Sequence, residues 1–304
     1  MEIYPGLEVL DTPFEGDRHI NVCLFSGRRR LLVDTGVAGT PTATLLPALE
    51  NLGIGVGDLD LVINLHAHAD HVGGNGELFA ASGETLGFGA HELDAPAIED
   101  HQLLATRVYG LTHPERIRAL LARCGANVPV ARWFEGGEIV DLEGLSVEVL
   151  HAPGHTRGNL ALYDAAHHAL LHGESVMGAP APDAEGLLST PFGIDPPAYR
   201  RTLETLRALD FEIYISSHQP VGDRTRGLAE IEASLDALDR FEAVCQEAIA
   251  QGPRDVDEMA AAVATGGGYV SGPRLAGQIG NLVDAWLVQG RVTHRPDGSL
   301  VTTR

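Results

Sequence analysis

Apolar residues along this chain change rhythm several times, and each change marks a different kind of element. The first stretch predicts short strands. Ile20–Phe25 and Arg30–Val33 are dense in aliphatic side chains and stop at Asp34-Thr35-Gly36. Thr40 followed by Pro41 is a helix start, and Leu45, Leu46, Leu49 and Leu52 then mark one helical face. Leu61–Leu65 is a continuous apolar run of strand length, the pattern of a buried strand, and it runs straight into His66. His91–Cys124 reads as mainly helical, interrupted by Pro96 and Pro114. Strand character returns at Leu145–Leu150, Leu160–Tyr163 and Ala169–Leu171. A Pro- and Gly-rich segment spans Gly178 to Pro197, followed by a helix over Ala198–Leu209 and a strand over Ile213–Ser216.

Past Gly227 the spacing is helical. Leu228, Ile231, Leu235, Leu238 and Phe241 form a stripe, a second helix covers Val256–Val263, and Gly266–Gly268 precede a third at Pro273–Gln289. Arg291–His294 and Ser299–Thr303 flank Pro296-Asp297-Gly298, a hairpin signal. Three helices and a hairpin follow the order of a winged-helix module. The boundary is therefore placed near Arg226, giving domains 1–226 and 227–304.

Composition narrows the partners. The chain has 304 residues with a hydrophobic fraction of 44%, enough for a full core. No apolar run is long enough for a membrane span, and the first residues lack the pattern of a signal peptide. Three scattered cysteines do not make a disulfide framework. Cytoplasmic residence is the expectation. The formal net charge is -21, and every basic side chain is arginine. A field of that sign opposes polyanions, so no nucleic-acid partner is expected.

The chemistry concentrates in His66-Ala67-His68-Ala69-Asp70-His71. In an extended segment His66 and His68 point to the same side, and Asp70 and His71 follow at once. Imidazole with carboxylate suits Zn²⁺, and also Fe or Mn. The alanines leave room for a compact ligand shell, and Gly73 and Gly74 allow close backbone approach. Further candidates follow other strands: His155 in Ala152-Pro153-Gly154-His155-Thr156, Glu174 in His172-Gly173-Glu174, and His218 in Ser216-Ser217-His218-Gln219-Pro220.

These ordered motifs resemble those of the metallo-β-lactamase-fold hydrolase superfamily over roughly residues 1–225. The resemblance implies an α/β fold, a four-layer αββα sandwich, with the small helical winged-helix-like domain appended. It also implies two divalent metal ions, most readily Zn. One would take His66, His68 and His155, and the other Asp70, His71 and His218. Asp34 matches a position that supports the metal loops. Glu174 stands where the family usually has a bridging aspartate. It could bridge, bind one metal, or leave the site mononuclear.

A metal-activated water would attack an acyl or phosphoryl centre, with Asp70 orienting it and serving as the catalytic carboxylate. The tailed architecture resembles branches that include acyl-thioester hydrolases and polyketide thioesterase/cyclases. The expected enzyme is a metallo-hydrolase acting on a thioester, ester or lactone of a small organic acyl substrate. The alternative is a metal-dependent phosphodiesterase or ribonuclease. A tail packed on the catalytic part or forming a homodimer is expected, and His91–Cys124, with Tyr109, is a candidate lid.

Overall fold

The computed structural model describes residues 1–14, 16, 18–191 and 194–303. Phe192 and Gly193 of the Pro- and Gly-rich segment, and Arg304 of the expected second domain, lie outside the described residues. By its contacts the chain divides into two units. The first comprises Met1–Ala152, Gly158–Glu174 and Asp210–Arg224, and the second Pro153–Arg157, Ser175–Leu209 and Thr225–Arg304.

The first unit holds two sheets. One has seven strands in sequential order: β1 (Glu2–Tyr4), β2 (Leu7–Phe14), β3 (Arg18–Ser26), β4 (Arg30–Val33), β5 (Leu61–Ile63), β6 (Gly87–His91) and β7 (Arg132–Phe134). The other contains β8 (Ile139–Asp141), β9 (Ser146–His151), β10 (Leu160–Asp164), β11 (Ala169–Gly173), β12 (Ile213–Ser216) and β13 (Gly222–Asp223), in the order β13-β12-β11-β10-β9-β8. Between β4 and β7 in sequence lie α1 (Leu46–Asn51), α2 (Ala69–Val72), α3 (Asn75–Ala81), α4 (Ala95–Glu99), α5 (His101–Leu103) and α6 (Pro114–Leu121).

Period-two alternation sorts strands β2 to β5 between two cores. Ile20, Val22, Leu24, Leu32, Val62 and Phe88 pack with helical residues such as Leu49, Val72, Leu78 and Ile98. Their neighbours Cys23, Phe25, Leu31, Val33 and Ile63 pack against Val147, Val149, Leu162, Leu171 and Ile215 of the second sheet. Helices, sheet and sheet are thus stacked in that order. This explains why these strands read as continuous apolar runs: both faces are covered.

Strand direction places the site. β4 to β7 run parallel, as do β11 and β12. Open α/β sheets present ligand groups beyond the carboxyl ends of such strands. Asp34 follows β4, His66 follows β5, Asp94 follows β6, Glu174 follows β11 and His218 follows β12. The strand expected over Leu61–Leu65 stops at Ile63. The Leu65 N–H donates to the Asp34 carboxylate at 2.9 Å, so the backbone leaves the ladder two residues early.

The second unit contains α7 (Pro196–Ala208), α8 (Arg224–Ala250, its first residue in the other unit), α9 (Val256–Gly267), α10 (Pro273–Val288) and the antiparallel pair β14 (Val292–His294) and β15 (Leu300–Thr302). The predicted stripe supplies Phe241 to a core it shares with Met259, Val263, Ile279, Leu282, Trp286, Val292 and Leu300. α9 is capped by the Asp255 carboxylate, which accepts the Glu258 N–H. It runs through two of the three glycines expected to lie beyond it. The helix ends only at Gly268, whose φ of 68° suits a residue without Cβ. No described helix is long and apolar enough to cross a membrane.

Candidate metal centre

The hexapeptide begins extended and ends helical. His68 has extended backbone angles (φ -116°, ψ 152°), and α2 starts at the next residue. The extended half places His66 and His68 together, with ring centroids 4.6 Å apart and His66 Nε2 3.0 Å from His68 Nδ1. The helical half turns Asp70 and His71 into a second group with His218, whose Nε2 lies 3.4 Å from Asp70 Oδ2.

Glu174 stands between the groups. Its Oε2 lies 3.0 Å from His66 Nε2, 3.9 Å from His68 Nδ1 and 3.4 Å from His71 Nε2, while Oε1 lies 3.6 Å from His218 Nε2. His66, His68 and Glu174 can each offer a ligand atom within 4.8 Å of one another, and so can Asp70, His71 and His218. His155 is carried by the Pro153–Arg157 segment, which groups by contacts with the second unit.

The supports under these side chains are buried and polar. Asp34 is 1% exposed and sits at φ 65°, in the left-handed region, directly after β4. That turn aims one oxygen at Leu65 N–H and the other at His71 Nδ1, 2.8 Å away. The His71 carbonyl accepts from Thr35 N–H, the Thr35 hydroxyl and the Asn64 amide. Asn75 ties this group together by exchanging hydrogen bonds with Asn64 and accepting from Thr35. The close approach expected at Gly73 and Gly74 is present. A Cβ would lie 2.3 Å from the Arg123 carbonyl oxygen at the first and 2.4 Å from that of Thr35 at the second.

His71 also tests whether a cation fits. Its Nδ1 is committed to Asp34, and its buried Nε2 makes no well-formed hydrogen bond, with Glu174 Oε2 3.4 Å away. An orphaned imidazole nitrogen facing carboxylates costs free energy unless something binds it. A divalent ion coordinated there would satisfy the nitrogen and balance Asp70 and Glu174. The donor set of imidazoles and carboxylates fits Zn²⁺, Fe or Mn. In the metal-free chain, burial works to lower the His71 pKa. The charge and hydrogen bond of Asp34, with Glu174 and Asp70, outweigh burial and hold it well above 6.5.

The helical stretch after β6 reaches this centre through Tyr109. Its hydroxyl accepts the Ala69 N–H at 3.1 Å, and its ring lies 4.8 Å from that of His68. Burial pushes the phenol pKa up, so the group stays neutral. His91 stacks on His151 and accepts the Leu93 N–H, and His172 stacks on Tyr214. One support carried no distinctive sequence signal: Asp94, whose two oxygens accept the Ala67 and Gly158 N–H groups. Asp-Ala-Pro at 94–96 looks like an ordinary helix cap, yet the side chain caps nothing in α4.

Residues 16–218 match the model of the family described as Metallo-beta-lactamase superfamily. The chain is 31% identical to a hydroxyacylglutathione hydrolase of Aeromonas hydrophila over 53% of this chain and 45% of that one. It is 30% identical to a hydroxyacylglutathione hydrolase of Methylococcus capsulatus over 83% of each. It is 28% identical to the acyl-coenzyme A thioesterase MBLAC2 of Gallus gallus over 54% of this chain and 60% of that one. It spans about half the length of the first curated relatives it matches. The crystal structure of a metallo-beta-lactamase family protein from Thermus thermophilus superposes with a TM-score of 0.66 at 18% identity, covering all of both chains, which shows a shared mixed α/β fold. The strand-end histidines and carboxylates, the paired sheets and the family match agree: the chain belongs to the metallo-β-lactamase superfamily.

Proposed function

We propose that this chain is a metal-dependent hydrolase of acyl thioesters, with its catalytic part within residues 1–226. The observation that carries the reading is the place of Glu174, one carboxylate with an oxygen toward each of two imidazole groups. His66, His68 and His155 would hold one divalent ion, and Asp70, His71 and His218 the other, with Glu174 between them. Zinc is the first choice, with Fe or Mn as alternatives. When bound, two such ions supply Lewis acidity at the scissile carbonyl and bring the pKa of water down to about 7.

The chain's own residues do the rest. Asp34 fixes the ring of His71 and so the direction of its free nitrogen. Asp70 accepts the proton of the attacking water and returns it to the leaving sulfur. The water oxygen adds to the thioester carbonyl carbon, and the C–S bond then breaks as the carbonyl reforms, giving an acid and a thiol. A thiol leaves with a pKa of about 8.5, so one carboxylate suffices as the proton carrier. The names of the relatives differ in the carrier, glutathione or coenzyme A, and both carriers are thiols. That supports the thioester bond rather than one carrier. The net charge of -21 counts against the phosphodiesterase alternative.

The test is a hydrolysis panel of the metal-loaded protein against acyl-glutathione, acyl-CoA, lactones, a β-lactam and RNA. Thioesters should give the highest kcat/KM, falling at least about 100-fold in His68→Ala, a loss of about 2.7 kcal/mol in transition-state stabilisation. RNA cleavage that His68→Ala abolishes, with no thioesterase activity, would overturn the proposal.

A further inference from the structure

The two halves of the ligand hexapeptide are held by different carboxylates, and only one of these had a recognisable sequence context. Asp94 is 3% exposed and follows β6 by three residues. Position and residue type make it the natural N-cap of α4, but its oxygens turn elsewhere. Oδ2 accepts the Ala67 N–H at 2.9 Å, and Oδ1 accepts the Gly158 N–H at 2.8 Å. Ala67 is the residue between His66 and His68. Gly158 is the third residue after His155 and the second before β10. One buried side chain therefore fastens the His66–His68 segment to the chain that returns from His155.

Gly158 shows independently that the approach is tight. A Cβ at this position would lie 2.7 Å from Asp94 Cγ and 2.7 Å from Oδ1. Any larger residue would push the carboxylate off its partners. The glycine is thus the backbone counterpart of Asp94, and the two make one joint.

We propose that Asp94, seated against Gly158, is a positioning residue for the metal held by His66 and His68, as Asp34 is for the metal held by His71. The inference rests on the two-metal reading above. Asp94 acts by fixing where the backbone carries the imidazoles, so its loss should weaken one metal selectively. Hydrogen-bonding partners of metal ligands typically govern about 10–100-fold in metal affinity.

Asp94→Asn keeps the size and one acceptor but sets an amide N–H against a backbone N–H. Gly158→Ala leaves every hydrogen-bonding group in place and displaces the carboxylate by bulk. Each variant would be loaded with Zn²⁺ or Co²⁺, titrated with a competing chelator, and followed by elemental analysis and the cobalt visible spectrum. His68→Ala and His71→Ala provide reference spectra for loss of either metal. Both variants should lose one metal at chelator concentrations about 10–100-fold below those the wild type tolerates. The remaining cobalt spectrum should match that of His68→Ala. The double variant should be no worse than the stronger single one, since both break a shared contact. A purely architectural Asp94 would lower the melting temperature and leave the two affinities in their wild-type ratio, which overturns the inference. If Asp94→Asn does not fold, Gly158→Ala decides the question by the same ratio. Absence of metal uptake by the wild type would overturn the two-metal reading and this inference with it. Wild-type uptake with unchanged variants would overturn only the inference.

Discussion

Asp34 and Asp94 follow the two strands on either side of β5, which leads into His66–His71, and hold that segment in different ways. Asp34 follows β4 and Asp94 follows β6, the two strands paired with β5. Each is buried and accepts hydrogen bonds on both oxygens. Asp34 holds one backbone N–H and one imidazole, so it bears on the tautomer and proton affinity of His71 as well as its place. Asp94 accepts two backbone N–H groups, from Ala67 and Gly158, so these contacts fix the place of the chain. If these histidines hold metal, the Asp34 contact acts on a ring nitrogen and so bears directly on the protonation of His71, while the Asp94 contacts act on the backbone.

The largest test removes what the two halves share. Glu174 faces ligands of both groups, so Glu174→Gln keeps its size and deletes the charge between them. We expect loss of one metal and of most activity, by about 100-fold or more, consistent with the loss of a metal-facing group in a catalytic centre. Glu174→Asp restores the carboxylate with shorter reach and should retain metal with an altered rate. Metal content and turnover of both variants measure this. Wild-type values in Glu174→Gln would mean that the carboxylate binds neither metal and that the halves are independent.

A smaller effect should follow from Asp34. Asn tolerates the left-handed backbone that Asp34 adopts, so Asp34→Asn isolates the lost carboxylate from backbone strain. It leaves His71 Nδ1 or Leu65 N–H poorly satisfied, at a cost of about 1–3 kcal/mol in stability. The metal at Asp70, His71 and His218 should weaken by about 10–100-fold, while the His66–His68 site keeps its affinity. Chemical denaturation and chelator competition read the two quantities separately. Equal weakening of both sites would erase the distinction between the two supports.

Much of this candidate centre was legible in the sequence because histidine and carboxylate side chains are chemically distinctive and sit at strand ends. His66-Ala67-His68-Ala69-Asp70-His71 packs four donors into six residues, and an apolar run marks the strand delivering them. Glu174 and His218 followed from the same logic. Asp34 was legible through the family resemblance. Asn64, Asn75 and Asp94 were not, since their residue types also serve turns and caps, and no sequence spacing marks partners that range from His71, seven residues from Asn64, to Gly158, sixty-four from Asp94. The early end of β5 was equally hidden. It depends on a side chain thirty-one residues upstream taking the Leu65 N–H. In the helical tail, the hydrophobic stripe marked the elements well. Only the glycine stop was misplaced, because two glycines cost a helix less than tertiary packing returns.

The smallest expected effect is a reversal of sign with pH, and it belongs to the Asp34 side alone. Without metal, Asp34, Glu174 and Asp70 together outweigh burial and raise the His71 pKa well above 6.5. The unfolded chain titrates this group near its ordinary value of about 6.5. A raised folded pKa means that the native chain binds more protons between the two values, so stability falls as pH rises through that window. His71 therefore stabilises the metal-free chain fully below the unfolded pKa and loses that contribution as pH rises through the folded one. Metal binding inverts the dependence, because coordination at Nε2 requires the neutral ring and must displace the proton. The metal-free melting temperature should thus fall on going from about pH 6.5 to higher pH, while metal affinity at this site should rise over the same range. Asp34→Asn removes the largest charge holding the proton, so both slopes should flatten. Asp94→Asn should leave both slopes intact even as it weakens its own metal. Calorimetric melts of the chelated protein and Zn²⁺ titrations in matched buffers measure the two slopes. If the metal-free chain grows more stable with rising pH, His71 does not hold its proton. Both carboxylates would then act through placement alone.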